Sequence, residues 1–149
     1  MPGQQGTSQD QTVNPGIDYK LQTRTIAETL ADIEECSWFW RLIENADLTY
    51  LLRRSGLHTL LAPRNQALDP SSADQVSGNA EDFLKRHLLA GGVESFDLRR
   101  CQTVKTLAQR ILAVTIHDGN VRIGSAQIVR SDIACTNGVI HVIDRLLAG

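Results

Sequence analysis

The sequence predicts an α+β fold, with helices in its N-terminal half and strands in its C-terminal half, and three observations carry that reading. Between Thr25 and Gly56, apolar residues recur at helical spacing behind capping residues. From Thr103 onward, apolar and polar residues alternate with a period of two. The alternating runs are separated by turn dipeptides, Asp118-Gly119, Gly124-Ser125 and Asn137-Gly138. Helices and strands do not alternate along the chain as a doubly wound parallel sheet requires. At 149 residues the chain is long enough for one domain with one core.

The first residues, MPGQQGTSQDQTVNPG, are polar, Gln-rich and broken by Pro and Gly, so residues 1–18 read as a flexible tail and residues 19–149 as a single domain. Thr25 and Glu28 form a capping box that starts a helix carrying Ile26, Leu30 and Ile33. A second helix starts near Ser37 and puts Phe39, Leu42 and Ile43 on one face. A third starts at Asp47, carries Leu48, Leu51 and Leu52, and stops at Gly56. Thr59 to Pro63 is a short buried strand ended by proline, and Arg64 to Leu68 is one helical turn. Asp69 to Asn79 is polar loop. Ala80 to Leu89 returns to helix, with Phe83, Leu84, His87 and Leu88 on one side and Gly91-Gly92 closing it. Leu112, Val114 and Ile116 then run up to a hairpin turn, Val121 and Ile123 run back, and Ala126 to Val129 makes another strand. The last strand spans Val139 to Leu146. Alternation places His141 on one face with Val139 and Ile143, beside neither an acid nor a cysteine. A neutral core histidine bonded to a carbonyl or hydroxyl is the reading this supports.

Composition excludes several functions. Lys and Arg number 15 against 17 Asp and Glu, a net charge of −2, so no basic stripe recommends nucleic acid or an anionic membrane. No run of apolar residues is long enough to span a bilayer, and the N-terminal residues lack the apolar stretch of a signal peptide. Cys36, Cys101 and Cys135 are too far apart for a Cys-x-x-Cys site; one disulfide with a free thiol and three buried thiols both fit. A Gly-rich phosphate loop, a Gly-x-Ser-x-Gly elbow and a His-x-x-x-His metal pair are all absent, so no catalytic residue, metal ligand or cofactor is assigned. There is no Asn-x-Ser/Thr sequon and no Arg-Gly-Asp. The aromatic run Trp38-Phe39-Trp40 reads as core or groove packing, with a ligand platform as the alternative.

Two segments, HTLLAPRNQAL (His58 to Leu68) and NGVIHVIDRLL (Asn137 to Leu147), resemble the two signature segments of the fasciclin domain. Between them the family's Tyr-His, aliphatic, Pro-Gly pattern is matched by Arg86-His87-Leu88-Leu89-Ala90-Gly91. A Ser-x-Asp-Leu-like turn is matched at Ser95 to Leu98. The resemblance covers about Gln22 to Ala148. It implies a wedge-like β-sandwich with several packed helices, mostly in the N-terminal half. It implies a non-enzymatic extracellular adhesion or recognition domain, secreted or part of a larger membrane-anchored protein. The implied partner is a cell-surface or matrix protein, an integrin among them. A polysaccharide or small ligand, taken near Trp38 and Trp40, is the alternative.

The resemblance also points to residues. The family's contact surface maps to Arg86, His87, Leu88 and Leu89 and to the pair Asp132-Ile133, read here as a turn. The usual Tyr of the Tyr-His pair is Arg86 in this chain, and the usual Thr after Ala-Pro is Arg64, which leaves Asn65 to cap the following turn. His141, Asn65, Asn137 and Gly138 are expected to be structural.

Overall fold

The computed structural model describes residues 16–68 and 79–147. Most of the expected tail, up to residue 15, and the expected loop at residues 69–78 lie outside the described residues. Ile17 and Asp18, which the sequence places in the tail, already touch the domain: the Ile17 amide donates to Glu94 Oε2 at 3.2 Å, and Asp18 caps a 3-10 turn at Tyr19–Leu21.

Helix α1 (Ile26–Ala31) starts at the expected capping box, with Thr25 and Glu28 each accepting from the other's amide. Helix α2 (Ser37–Asn45) buries Phe39 and Ile43. The expected third helix is only a 3-10 turn, Thr49–Leu52. Asp47 adopts a positive φ of 58°, which breaks the α-helical path, yet Leu48, Leu51 and Leu52 are still buried. Helix α3 (Ala80–Lys85) and the single turn α4 (Ser95–Leu98) complete the helices among the described residues.

The strands are β1 (His58–Pro63), β2 (Leu88–Ala90), β3 (Thr103–Lys105), β4 (Ile111–His117), β5 (Asn120–Ile123), β6 (Ala126–Cys135) and β7 (Gly138–Ile143). They form one seven-stranded sheet in the order β2-β1-β7-β6-β5-β4-β3. β1 and β7, which carry the two signature segments, lie side by side and parallel, with Leu61 opposite His141; the other pairings are antiparallel. An isolated bridge from Leu89 to Thr106, with the Leu107 amide donating to Leu88 O at 2.8 Å, joins the two ends of that order and curls the sheet toward a barrel.

Two apolar clusters result. Leu60, Ala62, Ile140 and Val142 face the helices and meet Ile26, Leu30, Phe39 and Leu52. Leu61 and Ile143 face the inside of the curl and meet Leu98, Val114, Ile123 and Ala126. β1 and β7 are thus buried on both faces, which is why their sequences are nearly continuous aliphatic runs.

The structure corrects three element readings. The helix expected over Ala80 to Leu89 ends at Lys85, because Leu88 to Ala90 pair with β1 instead, Leu89 opposite Thr59. β6 runs six residues beyond Val129, and Asp132-Ile133 form an irregularity inside it rather than a turn between strands. β7 stops at Ile143, where Asp144 leaves the ladder; its amide donates to Gln127 O at 3.1 Å and its Oδ1 accepts from the Gln127 amide at 2.8 Å. All three cysteines are free thiols. Burial pushes the Cys36 thiol up to about 12.

Candidate partner-binding site and the polar network behind it

His141 points from β7 into the curl, and both ring nitrogens have partners. Nε2 lies 2.8 Å from Val93 O, and Nδ1 accepts the Asp132 amide at 3.1 Å. A backbone amide can only donate, so Nδ1 is the acceptor and Nε2 carries the proton. Burial holds the ring below the usual imidazole range, with the Val93 bond and the Asp132 and Glu94 carboxylates acting the other way.

Asp132 sits at the irregularity in β6 with φ 61°, a conformation that Asp tolerates better than most residues. The bend presents its carboxylate at the surface. Oδ1 accepts the Ser95 amide at 2.8 Å and Oδ2 accepts the Ser95 hydroxyl, so Asp132 anchors the start of α4. Thr59 ties down the same segment from β1: its hydroxyl donates to Gly91 O at 2.7 Å and accepts the Val93 amide at 2.7 Å. Glu94 takes the Tyr19 hydroxyl at 3.1 Å. Partial burial and that carboxylate raise the Tyr19 phenol above its ordinary value. Tyr19 also covers Gly92, where a Cβ would stand 2.5 Å from the tyrosine oxygen. The segment from Gly91 to Asp97 is therefore pinned by β1, β6, β7 and the residues before α1.

The histidine segment is packed differently. His87 is fully buried beside Phe39 and Phe83, with ring centroids 5.7 and 4.9 Å away. Its Nε2 accepts the Leu147 amide at 3.1 Å, so Nδ1 carries the proton toward Phe83 O at 2.9 Å. Burial pushes its pKa down to about 4, with Arg86 adding to the effect and the Phe83 bond opposing it. Leu88 and Leu89 are buried in β2. Arg86 lies over the Phe83 ring at 5.3 Å with Nε 3.6 Å from Asp82, and its side chain is 14% exposed.

Of the six residues expected at a contact surface, Asp132 is exposed, Ile133 is half-buried and Arg86 shows an edge, while His87, Leu88 and Leu89 are inside. The fold brings Asp132 together with His141. Among the described residues, no hydrogen bond or ion pair joins Asp132 to Arg86.

The remaining singled-out residues hold elements together. Asn137 accepts the Ile26 amide at 2.8 Å and donates to Leu52 O and Arg54 O at 3.0 and 2.9 Å. Gly138 (φ 149°) lies so close to β1 that a Cβ would stand 1.8 Å from His58 O. Asn65 caps α2 rather than its own turn: Oδ1 accepts the Trp38 amide at 3.0 Å, and Nδ2 donates to Glu34 O and Ser37 Oγ. The aromatic run is split, with Phe39 in the core, Trp40 partly packed against it and Trp38 49% exposed. Thr59, Val93 and Ser95 were not singled out from the sequence. A buried threonine in an aliphatic strand was the one signal available for Thr59.

The fasciclin-domain family model matches residues 34–148. The chain belongs to the fasciclin-domain family. Among its relatives, protein sll1483 of Synechocystis is 30% identical over 131 residues, covering 83% of this chain and 72% of that protein. Stabilin-2 of Mus musculus is 31% identical over 79% of this chain, which spans only 5% of that protein. Transforming growth factor-beta-induced protein ig-h3 of Sus scrofa is 30% identical over 83% of this chain, which spans 19% of it. A solved fasciclin-domain pair from the insect cell adhesion molecule fasciclin I superposes with a TM-score of 0.74 at 21% identity, covering 86% of this chain and 52% of that one. That likeness shows a shared fasciclin fold, helices and a curled sheet together. Among the described residues, no helix is long and apolar enough to cross a membrane.

Proposed function

We propose that this fasciclin domain is a non-enzymatic adhesion module. It acts outside the cell, secreted or carried on a larger membrane-anchored protein, and it recognises a cell-surface or matrix protein. The observation that carries the reading is Asp132. Its carboxylate is exposed at an irregular point of β6 and oriented by Ser95, while His141 holds the backbone beneath it. Such an aspartate is preorganised to meet a basic group or a receptor's metal ion, as an integrin would present. The fold is shared with an insect cell adhesion molecule. The non-catalytic reading is supported by His87 and His141, each with both ring nitrogens engaged.

The contact surface is Asp132 with Ile133 beside it; Arg86 contributes through its exposed edge. The test is adhesion of integrin-bearing cells to immobilised protein. Asp132→Asn keeps a side-chain acceptor for Ser95 and tolerates the positive φ, but removes the charge. The expected result is a loss of adhesion equivalent to about 1–2 kcal/mol with an unchanged unfolding midpoint. Full adhesion by a folded Asp132→Asn protein would move the contact elsewhere.

A further inference from the structure

We propose that the cleft bounded by α4, β5 and β6 binds a carboxylate-bearing sugar ring, a uronate residue of an acidic polysaccharide. The cleft encloses about 190 Å³. That is below the roughly 300–1,000 Å³ of pockets that enclose a drug-sized ligand, so it suits one ring of a longer chain. Two guanidinium groups line it, from Arg99 on the α4 side and Arg130 on the β6 side. Arg99 is steadied by donating to Gly119 O at 2.9 Å, and Arg130 by donating to Glu35 at 3.1 Å. Each bond uses one of five N–H donors, which leaves both forks able to take a carboxylate.

Around these cations the lining changes character. Ser95, Ser131 and the Asn120 amide supply groups that match sugar hydroxyls. The Ser95 hydroxyl proton is committed to Asp132, so its oxygen faces a ligand as an acceptor. Val121 and Ile128 are buried, and the apolar surface they give the cleft suits the C–H face of a pyranose ring. No acidic side chain lines the cleft; Asp132 and Glu35 are neighbours committed to Ser95 and Arg130. A uronate carries all three complementary features: a carboxylate, hydroxyls and an apolar face. An acidic peptide side chain carries only the first. A neutral sugar lacks it. The site is separate from the Trp38 region and does not depend on the protein partner proposed above.

Two-dimensional amide NMR of the full chain, titrated with a galacturonate hexamer, tests this. Maltohexaose and a hexaglutamate peptide at matched ionic strength serve as comparisons. Saturable shifts are expected at Arg99, Asn120, Val129 and Ser131 with the uronate, none with maltohexaose, and much weaker ones with the peptide. Arg99→Gln and Arg130→Gln should each weaken uronate binding by about tenfold, as loss of a charge-assisted bond predicts, with the rest of the spectrum unchanged. Absence of saturable shifts at these amides in the wild-type protein would overturn the proposal. So would equal affinity for the peptide, or undiminished binding by both folded variants.

Discussion

His87 and His141 are neutral for a geometric reason: each has one nitrogen facing a backbone N–H, which a protonated ring could no longer accept. Folding therefore favours the unprotonated ring, and protons favour the unfolded chain. The sign is that of a depressed histidine pKa, so the stabilisation is complete above about 6.5 and is lost as pH falls toward about 4. For His87, fully buried and unscreened, the fall from 6.5 to about 4 corresponds to roughly 3 kcal/mol. His141 adds in the same direction. Urea midpoints at a series of pH values should decline through this window, while the His87 ring resonances stay those of a neutral imidazole until near its lower end. A ring that titrates near 6.5 in the folded protein would contradict the assignment.

Elements show where the sequence was legible. His141 could be placed because alternation in β7 decides its face, and burial on that face leaves a polar ring only a bonded, neutral role. The capping box of α1 was legible because Thr25 and Glu28 are three residues apart. The helix expected over Ala80 to Leu89 was not: Leu88 and Leu89 suit either period, and pairing with Thr59 and Leu60 decides between them. The Asp132 network was equally out of reach, since Ser95 is 37 residues from Asp132 and Val93 is 48 from His141. Asn137 marks the boundary between the two cases. Its Asn-Gly turn was readable, but its grip on Ile26, Leu52 and Arg54 was not. Asn137→Ala strands two carbonyls and one amide at the junction of α1, the 3-10 turn and β7. It should cost roughly 2–4 kcal/mol, read as a lower urea midpoint. A cost below about 0.5 kcal/mol, the level of an ordinary surface change, would mean that water replaces these bonds.

Across the whole molecule, two apolar clusters raise the question of whether the domain unfolds in one step or two. β1 and β7 answer it. Leu60 and Ile140 belong to the helix-side cluster, while Leu61 and Ile143, on the same two strands, belong to the cluster inside the curl. Neither cluster can open without exposing the other face of these strands. The Leu89–Thr106 bridge reinforces this by joining the ends of the sheet. Trp40 packs on the helix-side cluster, whereas far-UV circular dichroism averages over the whole backbone. Ile123 lies in the other cluster, fully buried. Ile123→Ala should therefore lower stability by about 2–5 kcal/mol, with the midpoint read by tryptophan emission falling together with that read by circular dichroism. If tryptophan emission kept its wild-type midpoint while the dichroism signal melted early, the clusters would be independent units and β1 and β7 would not couple them.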